Sequence, residues 1–383
     1  MDFLSEFAFL AEGFLAVSWK QLVMFAIGGL LIYLALAKDF EPALLMPMGF
    51  GAILVNIPFS GVLDQTVGSI PANGILQWLF HIGIEASEAM PLLLFVGIGA
   101  MIDFGPLLSN PKMLLFGAAA QLGIFLTIIL ATLFGFSFVD AASIGIIGAA
   151  DGPTSILVSQ VLHSKYIGPI AVAAYSYMAL VPIIQPAAIK LVTTKKERCI
   201  RMPYNPKQVS RLTRILFPIL VTLIAGFIAP ASVSLVGMLM FGNLLRECLK
   251  LDSLSQTAQT TLANLITIFL GITIAVSMKA ETFVSLQTLI IMGLGLLAFV
   301  FDTVGGVLFA KFLNLFMKNK INPMIGGAGI SAFPMSARVI QKMALKEDNQ
   351  NHLLMHAVGA NVAGQIASVV AGGIILALVP NMI

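Results

Sequence analysis

Two apolar stretches of this chain are interrupted by residues that can do chemistry. The first reads Gly148-Ala-Ala-Asp-Gly-Pro-Thr-Ser-Ile-Leu-Val-Ser-Gln160. The second reads Asn322-Pro-Met-Ile-Gly-Gly-Ala-Gly-Ile-Ser-Ala-Phe-Pro-Met-Ser-Ala-Arg338 and runs on to Gln341. Asp151 lies between Ala150 and Gly152, with no basic residue within ten positions. A carboxylate in such surroundings binds a cation or exchanges a proton, or it caps the helix that begins around Pro153. Pro153 and Pro334 each remove a backbone donor, and the neighbouring glycines permit sharp turns. Broken ends of this kind expose carbonyl oxygens that suit Na⁺ and helix N-termini that suit anions. Arg338, one turn past Pro334, reads either as a bidentate partner for a carboxylate or anionic substrate, or as an arginine snorkelling to the cytoplasmic interface. Asp302, followed by Thr303 and Gly305-Gly306, reads as a site or as a buried hydrogen-bonding group. Asp103, beside the turn Gly105-Pro106, reads as structural.

The two segments share the pattern G-x-x-x-x-P-x-S-x-x-x-x-Q. It falls on Gly148, Pro153, Ser155 and Gln160, and again on Gly329, Pro334, Ser336 and Gln341, each 181 positions after its counterpart. The same offset pairs Gln121 with Asp302, both polar residues inside apolar runs. This collinearity predicts an internal duplication, a common device of secondary transporters.

The elements that must position these residues are membrane spans. Of the 383 residues, 58% are hydrophobic and 10% charged, against about 25% charged in soluble domains. Runs long enough to cross hydrocarbon as helices cover Gln21–Ala37, Lys112–Phe136, Tyr166–Leu191, Thr213–Ala229, Thr260–Met278, Leu286–Phe312 and Leu353–Val379. They lack the alternation of a membrane barrel. Eight of the 21 basic residues fall between Lys190 and Arg214, in a connection interrupted by Pro203 and Pro206, and the positive-inside rule puts it in the cytoplasm. A nucleic-acid patch is the poorer reading, because no aromatic residues are interleaved. Working outwards from that loop, the hairpin bearing Asp151 enters from outside and the one bearing Asn322 from the cytoplasm. The expected fold is therefore an all-α polytopic membrane protein with inverted structural repeats, two re-entrant broken-helix hairpins and an elevator-like transporter architecture. Its expected parts are an N-terminal interfacial helix with variable membrane segments (1–85), repeat 1 (86–192, hairpin 140–162), the basic linker (193–212), connecting helices (213–258) and repeat 2 (259–383, hairpin 321–342).

Several other features qualify this picture. Asp2, Glu6 and Glu12 do not suit a cleavable signal, and Phe3–Trp19 reads as an interfacial amphipathic helix. Cys199 and Cys248 have no metal spacing and suggest no disulfide. His352 and His356 have i, i+4 spacing but no third ligand nearby, so they read as interfacial residues at a helix start. Asn361, Gln365 and Ser368 form a polar stripe that should face the hairpins, either coordinating an ion or packing small polar groups. Tyr175 and Tyr177 interrupt an apolar span at mid-depth and read as cavity-lining. No nucleotide loop, serine elbow or zinc signature is present. The residues themselves describe an ion-coupled carrier and leave its substrate open.

At the two interrupted segments, the chain resembles the beta subunit of the sodium-translocating, biotin-dependent decarboxylases of oxaloacetate, methylmalonyl-CoA and glutaconyl-CoA. The resemblance extends to Gly97-Ile-Gly-Ala-Met-Ile-Asp-Phe-Gly-Pro106, Phe301-Asp-Thr-Val-Gly-Gly306 and His356-Ala-Val-Gly-Ala-Asn-Val-Ala-Gly-Gln365. It implies a multi-pass subunit of a prokaryotic plasma membrane that decarboxylates carboxybiotin, exports Na⁺ and takes up an external proton. The implied partners are a biotinylated carrier protein or domain, a carboxyltransferase alpha subunit and a small membrane gamma or delta subunit. A homo-oligomer is also expected, and no nucleic acid. The implied Na⁺ residues are Asp151, Asn322, Gly326, Tyr177 and Ser331. The implied catalytic residues are Asp151, Tyr177 and Arg338, with Arg338 also meeting carboxybiotin. The rival readings are a stand-alone sodium-coupled carrier or Na⁺/H⁺ antiporter, and a non-catalytic scaffold.

Overall fold

A computed structural model describes residues 8–38, 42–67, 70–86, 88–204 and 208–382. Among these, five helices are long and apolar enough to cross a membrane: Trp19–Ala37, Pro111–Leu133, Leu249–Met278, Leu286–Phe316 and Leu354–Asn381. Two sharply bent helix pairs raise the number to seven if each is one span. Five of the seven expected spans coincide with these five helices. The sixth, Tyr166–Leu191, is a helix over Ile167–Val192 bent by 72° between Met178 and Leu180. Pro182 explains the bend, because it lacks the N–H that Met178 O would accept and its ring crowds that carbonyl. The seventh is the helix Arg211–Ile228. The other bent pair, Ile75–Glu85 with Ala89–Met101, was not expected as a span, since His81, Glu85 and Glu88 break its apolar run. The protein is an all-α, multi-pass membrane protein.

The chain divides into two compact units. One comprises residues 1–90 with 264–290. Its helices Trp19–Lys38 and Pro42–Asn56 pack at Gly28 and Gly49, where an added Cβ on either would lie 2.7 Å from the other's carbonyl oxygen. Buried Asn56 then ties Met278 O (2.9 Å) and Ala280 N (2.7 Å) to this pair. A small antiparallel hairpin, Asp64–Val67 with Ile70–Asn73, was not legible in the sequence. Of the expected helix Phe3–Trp19, residues Ala8–Leu15 are helical and a new helix starts at Trp19. Its earlier residues lie outside the described part.

The second unit, residues 91–263 with 291–383, carries both interrupted segments. Its site-forming helices are α1 (Leu114–Ala119), α2 (Leu122–Leu133), α3 (Phe138–Gly145), α4 (Gly152–Val161), α5 (Ile167–Val192), α6 (Leu286–Phe316), α7 (Met324–Gly327), α8 (Met335–Glu347) and α9 (Leu354–Leu378). The span Pro111–Leu133 is broken between α1 and α2, at buried Gln121. That break leaves helix N-terminal donors deep in an apolar unit. Asp302, from α6, supplies the acceptor: its Oδ1 takes the N–H groups of Gly123 and Ile124. The intramembrane acid therefore caps another helix. Its second oxygen, Oδ2, has no hydrogen-bond partner and abuts Gly148 of the first interrupted segment.

Small residues let these helices touch backbone to backbone, as hydrocarbon-embedded packing requires. A Cβ on Gly364 of α9 would overlap Gly329 O, and one on Gly326 of α7 would overlap Gly306 O of α6. Both interrupted segments are tied at their mouths. Asp140 Oδ1 accepts from Ser164 Oγ (2.8 Å) and Lys165 N (3.1 Å), joining the two ends of the first. The basic linker joins the two ends of the second, since Arg198 O accepts from Asn322 Nδ2 (2.8 Å) and Asn351 Nδ2 (3.0 Å). Arg198 further pairs with Glu347, and Arg201 binds Asp348 through Nε (2.6 Å) and Nη2 (3.0 Å).

Candidate functional site

The first interrupted segment runs from α3 through a 3₁₀ turn, Ile146–Ala149, into α4. Ala150 reverses the chain in the left-handed region (φ 54°), a conformation that costs an L-residue about 1–2 kcal/mol. Asp151 is the N-cap of α4 and is buried at 3% exposure. Its Oδ1 accepts from Thr154 N (3.4 Å) and its Oδ2 from Thr154 Oγ1 (2.8 Å). The capping reading of Asp151 therefore holds, and it does not exhaust the carboxylate.

The remaining contacts of the carboxylate come from far along the chain. Ser368 Oγ of α9 donates to Asp151 Oδ2 at 3.1 Å, and the Ser331 hydroxyl also lies beside it. Ser331 belongs to the second interrupted segment, and both its N (3.0 Å) and Oγ (2.8 Å) donate to Ala149 O. The two segments thus meet where each is non-helical. The stripe on α9 completes the junction: Asn361 Nδ2 donates to Ile330 O (2.7 Å) and Gln365 Nε2 to Ser331 O. The stripe does face the interrupted segments, as its spacing predicted.

Among the described residues, no cation pairs with Asp151. Its neighbours are hydroxyl oxygens, and three oxygens nearby or bonded to the same loops (Asn361 Oδ1, Gln365 Oε1 and Tyr175 OH) are buried without a hydrogen-bond partner. This all-oxygen set, with one carboxylate, suits a small hard cation rather than a transition metal. No cluster of three or more His, Cys, Asp or Glu residues capable of holding a metal occurs among the described residues.

Of the residues expected at the site, Asp151 and Ser331 come together and the others stand elsewhere. Tyr177 donates its hydroxyl to Met292 O and packs its ring on Gly295. Tyr175, two residues earlier, is the tyrosine whose ring covers Gly152 beside Asp151. Asn322 directs its amide at the linker carbonyls of Arg198 and Ile200, and its Oδ1 accepts from Met324 N (3.1 Å). Gly326 serves the close approach to Gly306. Arg338 is exposed on the first turn of α8, and its guanidinium makes no ion pair among the described residues. Thr154 is a partner that the residue pattern does not single out: with Asp151 as N-cap, it stands at N3 and gives the carboxylate both its N–H and its hydroxyl. Elsewhere, Asp103 accepts from Gly105 N (2.8 Å) and pairs with Arg214. His356 stacks edge-on against Tyr204, and both cysteines are free thiols.

Comparison with known proteins places the chain. The family model described as the Na⁺-transporting oxaloacetate decarboxylase beta subunit matches residues 20–379. The chain is 48% identical to a methylmalonyl-CoA decarboxylase subunit beta of Propionigenium modestum, over 96% of this chain and 97% of that one. It is 48% identical to a glutaconyl-CoA decarboxylase subunit beta of Acidaminococcus fermentans, over 96% of each. It is 43% identical to an oxaloacetate decarboxylase beta chain of Klebsiella pneumoniae, over 97% of this chain and 98% of that one.

Proposed function

Because the chain belongs to the family of Na⁺-transporting oxaloacetate decarboxylase beta subunits, we propose that it is the membrane subunit of a decarboxylase sodium pump. It decarboxylates carboxybiotin delivered by a biotinylated carrier and couples this to Na⁺ export, with uptake of an external proton. The observation that carries the reading is the Asp151 carboxylate, buried where the two interrupted segments meet and surrounded by hydroxyl oxygens of Thr154, Ser331 and Ser368. Na⁺ is the cargo of this site, and its charge favours the ionised carboxyl. A proton arriving from outside neutralises Asp151 and weakens its hold on Na⁺. Loss of CO₂ from carboxybiotin consumes one proton, so proton uptake at Asp151 can supply the chemistry. Arg338 offers an exposed guanidinium without an ion pair among the described residues, and its planar donor fork suits the carboxylate of carboxybiotin. Tyr177, Asn322 and Gly326 belong to the same reading as residues that reach the ion in a different arrangement of the two segments.

The architecture proposed for this work is an inverted repeat, 86–192 and 259–383, moving in elevator fashion. Two equivalent bonds support it. Ser155 Oγ and Ser336 Oγ each lie 3.5 Å from the carbonyl oxygen nine residues earlier, Ile146 O and Gly327 O. The tied mouths at Asp140 and at the linker support two re-entrant hairpins, and the linker's bonds to the second hairpin support a shared cytoplasmic face. The relatives differ in the acid named for their complexes while sharing this subunit. Choice of acid is therefore assigned to a carboxyltransferase alpha subunit, and a small membrane gamma or delta subunit completes the complex.

Sodium-stimulated decarboxylation of free carboxybiotin by the purified full-length chain is the direct test. Asp151→Asn should abolish the sodium stimulation while the protein remains folded. Retention of sodium-dependent decarboxylation by that variant would refute the site. Sodium flux through liposomes containing the chain alone, without decarboxylation, would instead support the stand-alone carrier.

A further inference from the structure

Beyond the carboxylate site, a second feature of the same unit has the makings of a binding site. Helix α6 ends at Phe316, and the chain turns into the second segment past Lys318 and Lys320. Beside this turn lies a cavity of about 560 Å³ lined in part by Lys196, Glu197, Lys311, Phe312, Leu315 and Lys320. Three lysines less one glutamate leave its lining with a net positive charge of two.

The fold uses these ammonium groups only in part. Lys311 Nζ donates to Val192 O (3.0 Å) and pairs with Glu197 (3.1 Å). Lys320 Nζ donates to Asn314 O (3.0 Å), while the Asn314 side chain holds both N and O of Ile321. Each ammonium carries three donors, so Lys311 retains one and Lys320 two. Lys196 is exposed and makes no hydrogen bond or ion pair among the described residues.

The cavity also has an apolar lining, on the same membrane-crossing helix that carries Lys311. Phe312 is 55% exposed and Leu315 75%. The adjacent Phe316, 74% exposed, pairs its ring edge-on with Phe312 at 5.2 Å. These apolar side chains lie in the last turns of the span, and Lys318 and Lys320 follow directly, so the chain leaves the hydrocarbon at this level. Basic pockets between helices at that level take anionic headgroups.

We propose that this cavity binds an anionic phospholipid, with the phosphodiester on Lys196, Lys311 and Lys320 and an acyl chain along Phe312 and Leu315. Inorganic phosphate shares the headgroup chemistry, but nothing in it would occupy the apolar wall. The conjunction of both surfaces selects the lipid.

The test uses the full-length chain in neutral detergent, with phosphatidylglycerol or phosphatidylcholine added in mixed micelles. Native mass spectrometry should show preferential retention of phosphatidylglycerol, and that lipid should raise the thermal transition where phosphatidylcholine does not. The double variant Lys196→Gln/Lys320→Gln should lower phosphatidylglycerol retention roughly twenty-five-fold, about fivefold per lysine. The control Lys346→Gln, outside the cavity, should lower it far less. Lys196→Gln alone keeps the test readable if loss of the Lys320 bond to Asn314 O unfolds the helix end. The proposal is overturned if either cavity variant retains the lipid as well as the unaltered chain does. It is equally overturned if phosphatidylcholine is retained as well, or if inorganic phosphate displaces phosphatidylglycerol and reproduces its stabilisation.

Discussion

Ser368 Oγ donates to Asp151 Oδ2 at 3.1 Å across 217 positions of sequence. This one bond joins the final span to the N-cap of the helix that follows the first break. The acid is thereby positioned by three parts of the chain, through Thr154, Ser331 and Ser368.

Ser368→Ala should weaken sodium binding without unfolding the protein. A hydrogen bond to a charged group contributes about 1.5–3 kcal/mol, so the half-saturating Na⁺ concentration should rise by about tenfold or more. Decarboxylation rate against Na⁺ concentration reads this directly. Unchanged sodium dependence would detach α9 from the ion site.

Asp302 should behave as a structural acid. Asp302→Ala leaves the Gly123 and Ile124 N–H groups without their acceptor, at a cost of about 1–3 kcal/mol for each buried orphan. Asp302→Asn keeps an oxygen acceptor and should lose much less. Thermal unfolding in detergent distinguishes them, and equal losses in both variants would argue that the charge itself matters.

Gly364→Ala should be severely destabilising, because its Cβ would overlap Gly329 O and backbone cannot yield as a flexible side chain can. Overpacking of this kind costs about 1–3 kcal/mol or more. Gly293→Ala is the control, since a Cβ there meets nothing within 4 Å. That substitution in a helix should be neutral or stabilising by about 0.4–1 kcal/mol. Comparison of the two melting temperatures measures the effect of the close approach.

The linker contacts should weaken in acid. Arg201 holds the Asp348 carboxyl below its ordinary value of 3.8. For Glu197, burial works upwards, but hydrogen bonds from Thr194 and Lys311 outweigh it and hold the group below its ordinary 4.5. Depressed carboxyl groups stabilise the folded contact above their unfolded values, and that contribution disappears as pH falls through the folded ones. The excess of pepsin cleavage within residues 195–204 in Asp348→Asn over the unaltered chain should therefore shrink as pH falls from about 5 to about 3. Asp348→Asn should be cleaved quickly already at the upper pH.

The membrane class and the two breaks were legible because they are local properties. Hydrophobic length identifies a span whatever surrounds it, and Pro153 or Pro334 interrupts a helix wherever it packs. The shared spacing of Ser155 and Ser336 was legible for the same reason, and both make the same bond to the carbonyl nine residues back. Tyr175 and Tyr177 point to opposite sides of their helix, about 200° apart, and only packing decides that Tyr175 covers Gly152 while Tyr177 turns to Met292 O. Asn322 read as a site residue because it opens an interrupted segment. The structure gives its amide to the linker, whose approach no local pattern encodes.

A multi-pass helical membrane protein with two interrupted segments, one of them bearing a carboxylate, follows from the order of residues alone. Composition, periodicity and proline placement suffice for that, because each acts on its own stretch of chain. Which oxygens surround Asp151, and which helix Asp302 caps, depend on how distant parts of the chain pack. Those partners are chosen by backbone contacts at Gly364 and Gly326, where packing geometry brings together residues that no short-range preference relates.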